Sequence, residues 1–306
     1  DLGAVGLGAA GHPLLGAAVE LAGGDGLVLT GRLSCGVQGW LRDHVVGGVA
    51  VFPGTGFLEL ALRAGELAGC ERVEDLTLAA PLVVSERGGV RVQVRVGAVD
   101  EGGRRGVEIH SRVEDGWEGL PWTLHATGVL VGVGVGVGGP VVSADLGVWP
   151  PRGAVAESVV GVYERLAGLG LSYGPVFRGL RGVWRRGEEV FAEVVLPEGE
   201  EGVAGRFGVH PALVDAALHA VVFTSVFGDG RVRLPFSWSG VSLWASGARA
   251  LRVRMVVLGS GAVGLELADA AGEPVASVES LVLREVSGDL AAVDARHVDN
   301  LFQTDW

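Results

Sequence analysis

Apolar and polar positions alternate along most of the chain. Residues 90–96 read VRVQVRV, and the same period of two runs through 107–113, 123–129, 190–196, 250–258 and 275–283, the pattern of strands with one buried face. Helical periodicity is confined to two segments. Over 54–68, Phe57, Leu60, Ala61, Ala64 and Leu67 share one stripe, entered through Pro53 and left through Gly69. From 211 to about 227, Leu213, Ala216, Ala217, Ala220 and Val221 leave so little polar surface that the helix must be buried. Strands therefore outnumber helices. Each half of the chain repeats one order: strands, a buried helix, then several antiparallel strands. This predicts an α+β protein of two similar units, each wrapping a curved sheet around a central helix. Between them, 131–153 is rich in Gly and Pro and includes the pair Pro150–Pro151, a linker composition. The duplication is one of pattern, without a residue-level repeat.

Composition narrows the partners. At 306 residues the chain suits two compact domains, and 48% hydrophobic with 20% charged residues excludes wholesale disorder. Its 53 glycines follow no G-X-Y period, which excludes collagen. A net charge of −12, with all 24 basic residues arginine, disfavours nucleic acid. A mean hydropathy of +0.41 raises the membrane question. The longest charge-free stretch, 119–144, contains Pro121, Pro140 and a VGVGVGVGG run, so it predicts no spanning helix. No basic segment followed by an apolar one opens the chain. Starting at Asp1 and stopping at Trp306 in mid-pattern, it reads as a segment of something longer. Cys35 and Cys70 are too few for a disulfide framework or a four-thiolate zinc site and fit a reducing compartment.

Several residues carry candidate chemistry. His44 opens HVVGGVAVFPGTGF just before the first helix, near N-terminal N–H groups able to bind an oxyanion. Its position alone equally suits a structural histidine beside a tight turn. Asp215 and His219 lie four apart on the second, otherwise apolar helix and share a face. A carboxyl there is costly to bury unless paired or protonated, so Asp215 is either His219's ion-pair partner or a general acid with a raised pKa. Tyr173 sits in SYGPVFRGL, a Gly-Pro turn flanked by aromatics. His210 and His12, each followed by proline, read as shaping their turns, His110 and His125 as strand residues able to face solvent, and His297 as part of a polar tail. HExxH, a P-loop and a GxGxxG opening a helix are all missing, so neither metal nor nucleotide cofactor is indicated.

Taken in order, His44, Gly48 and Pro53 spell HxxxGxxxxP, Tyr173 to Phe177 spell YGPxF, Asp215 and His219 spell DxxxH, and 234–238 read LPFSW. This ordered set resembles the dehydratase domain of a modular type I polyketide synthase. GHPLLG near the start and LFQTDW at the end resemble that family's opening and its linker into a following region, so the likeness spans the chain.

The resemblance implies a double-hotdog fold: an N-terminal hotdog at 1–140, a linker at 141–155, a C-terminal hotdog at 156–290 and the start of a further linker at 291–306. It implies a hydro-lyase of polyketide antibiotic biosynthesis that dehydrates a 3-hydroxyacyl thioester. In that reading His44 is the base and Asp215 the acid, one from each hotdog, so that the active site falls where the two meet. Tyr173 and His219 support Asp215, the Gly54 N–H is the oxyanion donor, and Gly48 and Pro53 shape the turn. No cofactor or metal of its own is implied; the substrate arrives on the phosphopantetheine of an acyl carrier protein. Neighbouring synthase domains, a homodimer and a cytoplasmic location follow, with no nucleic acid or membrane partner. An arginine patch at Arg178, Arg181, Arg185 and Arg186 is either the contact for an acidic carrier or a solvated face. Alternatives are a hotdog that shifts a double bond or cyclises, and a catalytically silent docking module. Leu171, where many members carry tyrosine, and the SCGVQGW stretch before His44 depart from the pattern and bear on substrate shape.

Overall fold

In the computed structural model, which describes residues 2–22, 24–86, 88–114, 121–132, 146–228, 231–259 and 261–285, alternation becomes strand. Along Val90–Val96 every valine is buried while Arg91 and Arg95 face out. The described residues fall into two compact units, one up to residue 132 and one from 146 to 285.

The first unit contains β1 (Gly8–His12), β2 (Leu15–Glu20), β3 (Leu27–Leu33), a short hairpin of β4 (His44–Val46) and β5 (Val49–Ala50), helix α1 (Gly54–Leu67), then β6 (Cys70–Leu78), β7 (Val90–Val96), β8 (Arg104–Val113) and β9 (Thr123–Gly132). Its sheet runs β1-β2-β3-β7-β8-β9-β6, every pair antiparallel. The second unit contains β10 (Val155–Glu157), α2 (Val162–Gly168), β11 (Leu171–Tyr173), β12 (Leu180–Arg186), β13 (Glu189–Val195), α3 (Glu201–Ala204), α4 (Pro211–Leu218), then β14 (Arg233–Leu243), β15 (Ala250–Gly259), β16 (Ala262–Ala268) and β17 (Pro274–Glu285). Its sheet runs β10-β12-β13-β15-β16-β17-β14, again antiparallel throughout.

The two orders are the same. In each order three of the seven strands precede the central helix and four follow it, and the first strand after the helix is placed beyond the other three. Each unit is a hotdog: α1 packs on β6 to β9, and α4 on β13 and β15.

The helices differ from expectation at their ends. Phe57, Leu60, Ala61 and Ala64 are buried, but Leu67, in the last turn of α1, is 39% exposed. All eight residues of α4 are buried, yet the α-helix stops at Leu218 instead of reaching Phe227. His219–Phe223 continues as a tighter 3₁₀ turn and Thr224 is extended. Val221, Val222 and Thr224 are β-branched, and the Thr224 hydroxyl donates to the Val221 carbonyl at 2.7 Å, competing for a helical acceptor.

The first part of the expected linker, His297 and the closing LFQTDW lie outside the described residues. Of the rest, Leu146 is fully buried with Phe191 and Ala268, beside Trp149, Ala154 and Trp184. Arg252 donates to the Leu146 carbonyl at 2.9 Å. This stretch therefore lies on the second unit's own sheet.

Candidate active site

In the first unit the site begins with a hairpin. Gly47 and Gly48 have φ of 58° and 86°, and Val46 pairs with Val49 across them, so this two-residue turn requires the left-handed conformations glycine adopts cheaply. The returning strand brings Val51 beside His44: the Val51 N–H donates to the His44 carbonyl at 3.0 Å, and its carbonyl lies 2.8 Å from His44 Nδ1. A carbonyl only accepts, so Nδ1 carries the hydrogen of the neutral ring and Nε2 holds the lone pair. The side chain is buried, 5% exposed. Pro53 then serves as the N-cap of α1 without a side-chain cap bond, and the N–H of Gly54, the first helical residue, has no acceptor within the helix. Gly56 is required by packing, since a Cβ there would stand 2.5 Å from the Phe52 ring.

In the second unit α4 carries the carboxylate. Asp215 Oδ2 lies 3.1 Å from His219 Nε2, and the two are 5% and 4% exposed. Tyr173, at the end of β11, sets its ring 4.1 Å from the His219 ring. The turn that follows begins with Gly174 extended and Pro175 opening a 3₁₀ turn that buries Phe177 completely. Arg178 Nε donates to the Tyr173 carbonyl at 2.7 Å, fastening the turn from its far side. Burial raises the Tyr173 pKa well above its ordinary value, so the phenol keeps its proton.

The structure thus gathers His44, Gly48, Pro53 and Gly54 in one unit, and Asp215, His219 and Tyr173 in the other. Sequence reasoning missed Tyr163, on α2. Its ring lies 5.6 Å from His219, its hydroxyl accepts from the Leu180 N–H at 3.0 Å, and burial pushes its pKa up to about 12. It is one of only two tyrosines, a signal that went unused because α2 is too short to show a period.

The remaining histidines divide. His210 caps α4, Nδ1 accepting from the Ala212 N–H at 3.2 Å. His12 makes the same His-Pro turn, with the Leu14 N–H donating to its Nδ1 at 3.2 Å, and its Nε2 meets Glu59 of α1 at 3.0 Å. Both shape their turns, as expected. His125 corrects an expectation: it is 2% exposed and faces the core, while the adjacent Leu124 is 37% exposed. His110 is half-buried.

In the expected arginine patch Arg178 donates to the Tyr173 carbonyl, Arg185 pairs with Glu157 at 3.0 Å and Arg186 with Glu189 at 2.7 Å, while Arg178, Arg181 and Arg185 are exposed. Among the described residues no three His, Cys, Asp or Glu side chains cluster as metal ligands.

Comparison with known proteins places this geometry. Residues 12–112 match a family model described as "Polyketide synthase dehydratase domain", and 143–292 one described as "Polyketide synthase dehydratase N-terminal domain". Polyketide synthase GfsA of Streptomyces halstedii is 57% identical over all of this chain, which spans 4% of that protein, and two further relatives are matched over 7% and 5% of their lengths. Among solved structures, the dehydratase domain from the terminal module of the rifamycin polyketide synthase is 46% identical, with a TM-score of 0.85 over 93% of this chain and all of that one. The bifunctional dehydratase-cyclase domain of ambruticin biosynthesis is 45% identical, with a TM-score of 0.82 over 92% of this chain and all of that one.

Proposed function

Since the chain belongs to the dehydratase-domain family of modular type I polyketide synthases, a family of hydro-lyases acting on hydroxyacyl thioesters, we propose that His44 is its base and Asp215 its acid. The observation that carries the reading is the hydrogen bond from His44 Nδ1 to the Val51 carbonyl, which leaves the Nε2 lone pair as the ring's basic position.

The chemistry divides between the two residues. His44 Nε2 takes the α-proton of a 3-hydroxyacyl thioester, and the bonding pair moves to form the α,β double bond. Negative charge gathers on the thioester oxygen, where the Gly54 N–H is the donor; one such donor contributes about 3 kcal/mol to the transition state. Asp215 gives its proton to the departing β-hydroxyl, which leaves as water. Transfer of the proton from His44 back to Asp215 restores both groups. His219, hydrogen-bonded to Asp215 and flanked by the Tyr173 and Tyr163 rings, holds the carboxyl group's orientation.

The wider setting follows from the same reading. The substrate arrives on the phosphopantetheine of an acyl carrier protein during chain extension, within a module whose other domains lie on the same polypeptide. Two free, buried thiols, Cys35 and Cys70, suit a reducing cytoplasm, and among the described residues no helix is long and apolar enough to cross a membrane. The chain is expected to sediment as a homodimer at micromolar concentration; a monomer contradicts that assignment.

The test is mass spectrometry of a carrier-bound 3-hydroxyacyl thioester after incubation with the chain. Loss of water is expected at full rate from the native sequence and at no more than a small residual rate from His44→Ala or Asp215→Asn. Native-like turnover by a folded variant removes that residue from the mechanism. A cyclic product assigns the chain the additional activity named for the ambruticin domain.

A further inference from the structure

A second buried histidine of the first unit has no part in that mechanism. His125, on β9, stacks on Phe57 of α1 with ring centroids 5.8 Å apart. Its Nδ1 faces the Ala80 carbonyl at 3.1 Å, so this nitrogen carries the hydrogen, and Nε2 accepts from the Ser111 hydroxyl at 2.7 Å. An apolar residue would fill the same space without polar groups to satisfy. The polar pair adds a hold on the backbone at Ala80. The N–H groups of Ala79 and Ala80 also point to the His125 carbonyl, at 2.8 and 3.4 Å, so one residue fixes the end of β6 through side chain and main chain together.

From that anchor, residues 79–84 leave the sheet as a strap and run beside Ala50, Val51 and Phe52. The Phe52 N–H donates to the Leu82 carbonyl at 2.8 Å and the Val84 N–H to the Ala50 carbonyl at 2.9 Å, with Val51 and Val83 bridged antiparallel. Backbone groups of successive residues in an extended chain point to opposite sides. Val51 therefore turns its own N–H and carbonyl away from the strap and toward His44, meeting its carbonyl at 3.0 Å and its Nδ1 at 2.8 Å. The carbonyl that sets the His44 tautomer is thus clamped from behind by the strap.

We propose that His125 is a positioning residue for His44: by anchoring the strap at Ala80, it holds the Val51 carbonyl where it keeps the hydrogen on His44 Nδ1 and the lone pair on Nε2. The proposal rests on the reading of His44 as the base. Burial holds the His125 pKa down to about 4, so the anchor stays neutral at the pH values where a histidine base operates.

The experiment reads the His44 tautomer directly, by long-range proton–nitrogen spectra of the chain labelled at histidine nitrogen, with His44→Gln assigning the signal. In the native chain His44 shows the Nδ1–H form. Removing both polar partners together, in His125→Leu with Ser111→Ala, avoids stranding one of them. That chain is expected to show His44 as a mixture of tautomers, and kcat on a soluble 3-hydroxyacyl thioester to fall by about tenfold or more with little change in KM. His125→Asn, which keeps an N–H able to reach Ala80, is expected to restore both. If the apolar pair fails to fold, His125→Gln is read in the same spectra. An unchanged His44 tautomer in the folded variant overturns the proposal, whatever happens to kcat. A changed tautomer combined with native turnover by His44→Ala leaves the positioning intact and overturns the assignment of the base instead.

Discussion

A histidine in this chain takes its role from the partner of each ring nitrogen. His44 and His125 give Nδ1–H to carbonyls and keep Nε2 as an acceptor. His12 and His210 do the reverse, Nδ1 accepting from the backbone two residues on. Burial pulls His210 down to about 4, although Glu200 Oε2 stands 3.7 Å from its Nε2. With an ordinary pKa near 6.5 when unfolded, it binds more protons unfolded than folded between those values. The stability it confers is complete above about pH 6.5 and is lost as pH falls toward 4, at a cost of about 2 kcal/mol between pH 7 and 5. His210→Asn keeps an N-cap acceptor and removes the titration. Urea unfolding at the two pH values should show a smaller acid loss for the variant by about that amount; an equal loss contradicts the assigned shift. The spacing in DxxxH revealed the Asp215–His219 contact because i and i+4 meet on any helix. The inward turn of His125 was not legible: a shift of register between Ile109 and His110 breaks the alternation from which its side was judged.

At the scale of elements, alternation found β7, β8, β9, β13, β15 and β17 and missed the other strands, among them β1 and β2, whose GAAGH and LGAAVE carry almost no β-branched or aromatic residues. Their place in the sheet comes from pairing partners, which no local pattern records. The β4–β5 hairpin was legible only as a motif, HxxxGxxxxP, and the structure supplies its reason. Gly48 is there for its φ of 86°; a Cβ would meet nothing within 4 Å. Gly48→Ala is therefore expected to cost about 1–2 kcal/mol of stability through backbone strain alone, and Gly48→Asn less, because asparagine tolerates that conformation. Denaturant midpoints of the two variants check this. An alanine variant as stable as the native chain would mean that the turn can be made another way.

For the whole molecule, the duplication is plain in topology and invisible in residues. The seven sheet strands of each unit share one order, while the helices they surround have little in common beyond burial, because a hotdog fixes where apolar side chains must be and leaves their identity open. The same freedom lets one helix present its N-terminus behind a histidine hairpin and the other carry a carboxyl group. Division of labour between two copies of one fold is the central claim, and the pH dependence of kcat/KM in Asp215→Asn tests it most directly. The native profile should be a bell, falling at low pH as His44 takes a proton and at high pH as the acid loses its own. An amide cannot ionise in the accessible range, so the residual rate of the variant is predicted to rise as His44 is deprotonated and then stay flat. A residual rate that still falls at alkaline pH, with the fold and substrate intact, would give the acid's role to another group.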